Sequence, residues 1–322
     1  MTSRKEKYVS YLSSAMLTAS LLALLAFFIL HAKTASGAVL SSLSVAVKRV
    51  IPSVFPSMVI SGALVSTGGG DIIGRTLGKP IGKLLNASPS ASAAIILGAL
   101  CGFPVGAASA SLMYQNGEIG KSEFESVIGI ASIPSPAFVI NAVGANILGN
   151  RNAGVFLYAL MLVSTLFLGA IFLRSSKKEQ APQSVIKIKK QKVKLTESAV
   201  SSISSSAAST LKITAYIVFF STLTATLSEI FIPQGAPDAV SVILGGMLEF
   251  SGGCASAGEL KNALSLPLCA FFLGFSGLGV HFQVMSACPA DTSFKKYFAV
   301  SVLRGALAFL FTATVSPYFF GI

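Results

Sequence analysis

The sequence predicts an all-α polytopic membrane protein, with about seven transmembrane helices and two re-entrant helical hairpins in an inverted repeat. The first observation behind this fold class is composition. Of 322 residues, 53% are hydrophobic and only 11% are charged, and the mean hydropathy is +0.75. The second is a set of apolar runs long enough to cross the hydrocarbon layer as helices. The third is that similar apolar segments, each interrupted near its centre, occur in both halves of the chain.

Five apolar runs have no interruption, and each is predicted to be one span: residues 12–30, 50–65, 155–173, 213–232 and 297–318. The first follows Arg4, Lys5 and Lys7, so it is either a cleaved signal peptide ending near residues 35–38 or an uncut first helix. We expect an uncut helix, because a multi-span protein needs no cleaved signal.

Four further apolar segments are interrupted: residues 93–114 around GFPVG, 127–148 around IPSPAF, 240–257 around EFSGG and 264–287 around GFSGLG. Backbone at membrane depth must satisfy its own hydrogen bonds unless protein or a water-filled cavity surrounds it. Glycine and proline can also simply kink packed helices. The interruptions recur in order, however, and this favours breaks that line a cavity.

The recurrence can be aligned residue by residue. ILGALCGFPVGAASA from Ile96 matches ILGGMLEFSGGCASA from Ile243 without gaps and with about half of the positions identical. Each half is predicted to contain a span, a broken hairpin, a broken span and a span. The predicted units are an N-terminal transmembrane helix at 1–37, a first repeat at 38–174, a basic cytoplasmic linker at 175–196 and a second, inverted repeat at 197–322.

Charge predicts the orientation. The net charge is +12, but the basic residues lie in short loops and in the segment 174–194 with little aromatic interleaving, which argues against a nucleic-acid partner. Basic loops face the cytoplasm. If the N-terminal cluster, the linker and the loops at 75–83 and 295–296 all do so, the GFPVG and EFSGG segments must each enter and leave on one side. The N-terminus is then cytoplasmic and the two repeats point in opposite directions, as in secondary transporters.

Hairpin tips and helix breaks expose backbone N–H groups that can face an anion and carbonyl groups that can face a cation. The residues predicted to bind substrate lie at the two tips, the two broken helices and the last span: Gly102, Phe103, Pro104, Gly106, Ser135, Asn141, Glu249, Ser251, Gly252, Ser276, His281 and Arg304. For Asn141 and the serines, packing between helices is the alternative role.

Glu249 lies in an apolar run, where a carboxylate is costly and commonly functional. One hypothesis is coupling to a proton or a sodium ion. The other is a structural ion pair with Arg304 or Lys212, and the sequence leaves both open. Arg304 and Lys212 are also candidates for attracting an anionic substrate, although Lys212, expected at the start of the sixth span, can simply extend to the interface.

Other kinds of chemistry lack their sequence signals. The four cysteines are not spaced as a metal site or a disulfide framework, and neither a metal nor a cofactor is predicted. With two histidines, no nucleophile elbow and no GxxxxGK[ST] loop, we expect neither a hydrolase nor ATP-driven transport. The chain is therefore predicted not to be an enzyme. The sequence leaves the oligomeric state open, a homo-oligomer included.

Four motifs, GALCGFPVGA, SIPSPAFVINAVG, GGMLEFSGG and FSGLGVHFQV, follow one another between residues 51 and 287. In this order they resemble the YlbJ family of sporulation integral membrane proteins, also called SpoVV, within the nucleoside-recognition or Gate domain superfamily. That superfamily is similar to the core of concentrative nucleoside transporters, which pairs two re-entrant hairpins with two broken helices.

The resemblance implies a transporter that carries dipicolinic acid, a small planar dianion, across the outer forespore membrane during sporulation. The family's tips then correspond to residues 102–106 and 249–253, and its broken helices to 135–138 and 276–281. The tips lack the polar Gln/Thr pattern of nucleoside carriers, which argues against a nucleoside. The alternatives are a carrier of a nucleoside or another metabolite, and a non-transporting protein that assembles sporulation membrane complexes.

Overall fold

The computed structural model describes residues 4–175, 195–231 and 238–320. Within these ranges the chain forms helices and turns and no β-strand, which confirms the all-α fold class. Five helices are long and apolar enough to cross a membrane: Tyr11–Leu30, Arg151–Phe172, Thr196–Glu229, Ser265–Ser286 and Lys295–Val315. A sixth candidate is the pair Lys79–Leu85 and Pro89–Cys101, which bends by 108°. These are fewer than the predicted seven spans, and the inverted repeat stays a prediction.

The N-terminal part contains α1 (Arg4–Leu30), α2 (Ala32–Val45), a π-helical turn (Ala46–Val50) and α3 (Ile51–Ser66). None of the apolar window of α1 is buried inside the protein, so its side chains are available to lipid. The helices α2 and α3 instead pack along a later helix, α10 (Leu195–Phe231). Their many alanines, glycines and serines permit this close approach.

The first half continues through α4 (Gly69–Arg75), α5 (Lys79–Leu85), α6 (Pro89–Cys101), α7 (Val105–Gln115), α8 (Lys121–Ala131), a π-helix (Ala137–Ile147) and α9 (Arg151–Phe172). Ser88 caps α6 with its side chain, and Pro89 occupies the first helical position. The helix ends where Gly102 takes a φ of +83°, a conformation that favours glycine. Pro134 and Pro136 lie between α8 and the π-helix, where their missing N–H groups prevent a continuous helix.

The second half contains α10, α11 (Asp238–Leu248), α12 (Phe250–Glu259), α13 (Ser265–Phe275), α14 (Gly277–Ser286) and α15 (Lys295–Phe320). The helix α10 begins at Leu195, well before residue 213, where the sequence predicts this span to start. Its first part is rich in serine, and the buried Ser198 and Ser202 face α3, where the Ser198 hydroxyl donates to the Ala63 carbonyl. Lys212 therefore lies inside the helix, exposed, and not at its start. Most of the predicted basic linker, at 176–194, lies outside the described residues.

Two helical hairpins are built alike. The first hairpin is α6 with α7, and the second is α11 with α12. A Cβ added to Gly106 would lie 2.7 Å from the Cα of Gly98, and one added to Gly253 would lie 2.2 Å from the Cα of Gly246. Such distances leave no room for a side chain, so each hairpin folds back on itself through a crossing of bare backbone.

Each hairpin is buried against elements of the other half. We call α8 with the π-helix the first broken helix, and α13 with α14 the second. The first hairpin shares a core with Val280 of the second broken helix, and the second hairpin shares one with Val139 of the first. At the exposed start of α8, the Lys121 ammonium lies 2.6 Å from the Asp291 carboxylate, and this hydrogen bond lowers the pKa of that carboxyl. The two halves are thus interlocked.

Gly253→Ala is expected to lower the melting temperature of the protein in detergent, because the new methyl group forces α11 and α12 apart. Overpacking of this kind costs about 1–3 kcal/mol. Gly37→Ala is the matched control, since a Cβ there meets no atom within 4 Å. Equal melting temperatures of the two variants would contradict the close crossing in the second hairpin.

Candidate functional site

The tips of the two hairpins meet through their phenylalanines. Phe103 of the first tip and Phe250 of the second occupy the same place in the alignment of the two halves. Their ring centroids are 5.2 Å apart and their planes are 80° apart, an edge-to-face contact. Phe138 of the first broken helix also packs against Phe250, at 5.1 Å. The rings of Phe103, Phe138 and Phe250 therefore form one surface where the interruptions converge, and we call it the phenylalanine wall.

A cavity of about 420 Å³ lies beside this wall, and we call it the central cavity. Its volume is in the range of small-molecule binding sites. Of the predicted site residues, five line it: Phe103, Ser135, Glu249, Ser251 and Gly252. The rest of the lining comes from Cys101, Pro134, Phe138 and Phe250 near the interruptions, and from α2, α3, the π-helical turn between them, α10 and α14. Among the described residues that line this cavity, Glu249 alone is charged.

The Glu249 carboxylate caps its own hairpin. It is the single residue between α11 and α12, and it accepts hydrogen bonds from the Ser251 N–H at 3.0 Å, the Gly252 N–H at 2.6 Å and the Ser251 hydroxyl at 2.8 Å. A negative charge at the first turn of α12 is favourable, because the free N–H groups there carry the positive end of the helix dipole. The ion pair with Arg304 or Lys212 that the sequence left open is not formed within the described chain. Glu249 is 8% exposed, toward the cavity.

Arg304 is fully buried and binds backbone carbonyls. Its guanidinium donates to the Ser132 carbonyl at 2.6 Å and to the Gly274 carbonyl at 3.2 Å, and its third bond is to the Thr165 hydroxyl at 3.4 Å. Ser132 follows the end of α8, and Gly274 lies in the last turn of α13. Both carbonyls are at points where a helix stops, so Arg304 holds the two broken helices to α15. It does not line the central cavity, and its position therefore gives no support to a role in binding the anion.

His281 and Ser276 also lie away from the central cavity lining. Nδ1 of His281 is 2.7 Å from the Tyr297 hydroxyl, and its ring packs against those of Phe275 and Phe298. Its Nε2 and the Ser276 hydroxyl are buried and have no hydrogen-bond partner among the described residues. Ser276 separates α13 from α14 and takes a φ of +79°. Both residues therefore lie at the second break but do not line the central cavity.

The four remaining predicted residues lie outside the lining of the central cavity, and three of them are buried. A Cβ on Gly102 would lie 2.7 Å from the Ser135 nitrogen, so the first tip is pressed against the first broken helix. Gly106 lies at the crossing of the first hairpin, and Pro104 is buried just before α7. Asn141 is exposed on the π-helix. None of these four residues lines the central cavity.

Several cavity residues were missed by sequence reasoning. Ser41 and Ser42 come from α2, Ser221 from α10 and Phe138 from the first broken helix. Gln283 was not missed in this way, because its place after the second break marks it, with His281, as a polar group that could bind a ligand, and it carries the one side-chain amide of the described lining. Ser41, Ser42 and Ser221 have no distinguishing local pattern.

The described residues contain no cluster of three or more His, Cys, Asp or Glu side chains that could hold a metal ion. The four cysteines are free. Cys254 and Cys269 each direct their thiol at the other's carbonyl, and Cys101 lines the central cavity.

The apolar helices and the converging interruptions define an integral membrane protein of the polytopic α-helical class. The chain is similar to the sporulation integral membrane protein YlbJ of Bacillus subtilis (strain 168), with 23% identity over an alignment that covers 94% of this chain and 83% of the relative. This similarity supports the membership of the YlbJ family that the four motifs indicate. No family model matches the chain, and no solved structure matches it.

Arg304→Met is expected to lower the melting temperature strongly, because it leaves two buried carbonyls without donors. A hydrogen bond to a charged group is worth about 1.5–3 kcal/mol. Arg151→Met, at an exposed position at the start of α9, is the control and should melt like the parent protein. If Arg304→Met kept its melting temperature and instead weakened binding of an anionic solute, the structural role of Arg304 would be refuted.

Proposed function

We propose that the protein is a secondary transporter of a small carboxylate, with dipicolinate as the candidate, across the outer forespore membrane during sporulation. A membrane role in sporulation is supported by the relative, whose name describes a sporulation integral membrane protein. The observation that carries the transport proposal is the central cavity. It lies between two hairpin tips and two broken helices, is large enough for a small molecule, and presents aromatic rings beside one carboxylate.

The charge of the cavity limits how an anion can bind. Glu249 is the one charged residue of its described lining, and the basic groups expected to attract the substrate, Arg304 and His281, lie elsewhere. Two like charges 4 Å apart repel by about 4 kcal/mol at an effective dielectric constant of 20. That repulsion would weaken binding by roughly a thousandfold. A carboxylate therefore requires a proton or a cation to enter with it, and Glu249 is the group that would hold either one.

The tips differ in what they offer to such a substrate. The N–H groups at the start of α12 already bind the Glu249 carboxylate. The start of α7, at the first tip, has no side-chain cap, so no carboxylate of the protein occupies its positive end. We propose that the first tip binds the anion, that Glu249 at the second tip holds the coupling ion, and that the phenylalanine wall contacts the planar ring.

Glu249→Gln is expected to abolish the dependence of dipicolinate uptake on an imposed proton or sodium gradient, since a glutamine still caps α12 but carries no charge. The measurement is uptake into liposomes that contain the purified protein, with and without each gradient. Glu197→Gln, at an exposed position in α10, is the control. Gradient-dependent uptake by Glu249→Gln would remove this residue from coupling.

The same assay separates the alternatives. A panel of unlabelled competitors that includes nucleosides identifies another substrate if one of them, and not dipicolinate, blocks uptake. An absence of flux for every solute in the panel would favour the assembly protein.

Phe103→Leu is expected to raise the half-saturating concentration of an aromatic carboxylate by about two- to tenfold, because an aromatic contact is worth about 0.5–1.5 kcal/mol beyond its buried area. An aliphatic dicarboxylate should be affected less. Phe167→Leu, whose ring is exposed on the outer surface of α9, serves as control. Equal effects on aromatic and aliphatic acids would rule out a ring contact with the phenylalanine wall.

A further inference from the structure

Two further cavities lie along α10 on either side of the central cavity. The serine vestibule, of about 190 Å³, is lined by Ser205, Ser206 and Ser209 of α10 together with residues of α3 and α7. The acidic vestibule, of about 570 Å³, is lined by Ser221, Thr224, Ala225 and Ser228 of α10 together with residues of α11 and α12. The part of α10 that lines the central cavity, from Ile213 to Ala225, lies between Ser209 and Ser228.

The three cavities together have the length of a path across the membrane. Ser205 and Ser228 are about 35 Å apart along the axis of α10, at a rise of 1.5 Å per residue. The hydrocarbon layer is about 30 Å thick. One helix therefore borders a series of cavities that is as long as the membrane is deep.

The two vestibules differ in how they meet the central cavity. The acidic vestibule shares four lining residues with it: Ser221, Ala225, Glu249 and Gly252. The serine vestibule shares none. A cluster of Met58, Val105 and Ile213, all buried, lies between the serine vestibule and the central cavity. Met58 and Val105 line the vestibule on one side of this cluster, and Ile213 lines the central cavity on the other.

The asymmetry follows from one pair of aligned positions. Val105 in the first hairpin corresponds to Gly252 in the second. Val105 is 1% exposed and fills the space between two cavities. Gly252 has no side chain and borders both the central cavity and the acidic vestibule, and a Cβ built on it would contact only the Glu249 carboxylate. The hairpin with valine is closed at this point, and the hairpin with glycine is open.

We propose that Met58, Val105 and Ile213 form the gate of a translocation path along α10, and that the structure is the state in which this gate is closed and the central cavity opens through the acidic vestibule. The proposal rests on the transport function above. The acidic vestibule contains Glu259 as well as Glu249 and no basic residue among its described lining. It is therefore the entry from which a cation or a proton would reach Glu249.

The test uses Cys101, which lines the central cavity, as a natural reporter. In a background with Cys254, Cys269 and Cys288 replaced by alanine, a charged, membrane-impermeant thiol reagent is applied to right-side-out and inside-out membrane vesicles. Gln115→Cys and Glu259→Cys, each in a chain that also carries Cys101→Ala, mark the faces on which the serine and acidic vestibules open, since both positions are exposed. We expect these two markers to react from opposite faces. We also expect Cys101 to react at least about tenfold faster from the Glu259 face.

Opening the gate should remove that preference. The double variant Val105→Ala/Ile213→Ala is expected to make Cys101 reactive from the Gln115 face as well. Val280→Ala/Val284→Ala removes similar volume from buried positions away from the path and is the matched control. Gly252→Val is expected to slow the reaction from the Glu259 face, because its side chain fills the shared opening.

Equal reaction of Cys101 from both faces in the parent protein would overturn the proposal. An unchanged preference of Cys101 in both Val105→Ala/Ile213→Ala and Gly252→Val would also overturn it. The labelling needs no transported solute, so an error in the proposed substrate leaves these results intact. Conversely, uptake of dipicolinate by a protein whose Cys101 reacts equally from both faces would reject the gate and keep the proposed function.

Discussion

The need to pair every backbone carbonyl at membrane depth determines how this structure is held together. A helix that stops inside the membrane leaves acceptors that neither lipid nor a regular turn can satisfy. One guanidinium serves both breaks, because Arg304 has N–H groups fixed in a plane and can reach the Ser132 and Gly274 carbonyls together. Since α15 carries this residue, the last span sets where both broken helices stop, and thereby where the two hairpin tips can meet.

The all-helical class and the four interruptions could be predicted because they depend on local chemistry. Glycine at position 102, prolines at 134 and 136, and a capping carboxylate at 249 each act on their own few residues. The serine-rich start of α10 could not be predicted in the same way, since its low hydropathy is offset by packing against α3 that arises only in the fold. The cavity residues of α2 and α10 were missed for a related reason. Nothing near Ser42 or Ser221 in sequence distinguishes them from other serines in small-residue helices.

Arg304 shows the limit of reasoning from a rare residue. A charge in a membrane span indicates that a partner exists, but it does not identify that partner. The sequence suggested an anionic substrate or Glu249, and the structure provides backbone carbonyls instead. Because the described lining of the central cavity contains no basic residue, the chemistry expected there differs from the sequence-based expectation. An acid that binds beside Glu249 must bring its own neutralising charge, so coupling to an ion becomes a condition of binding and not an added feature.

The contact between Phe103 and Phe250 joins equivalent positions of the two aligned segments, as in an isologous interface, where a residue meets its own counterpart. The two positions are equivalent in the alignment, but their roles in the contact are not, because the edge of one ring meets the face of the other. The aligned positions next to these phenylalanines differ, with glycine against glutamate at 102 and 249 and valine against glycine at 105 and 252. The two aligned segments therefore meet through the same type of residue but place different groups beside it, a carboxylate in one and bare backbone in the other.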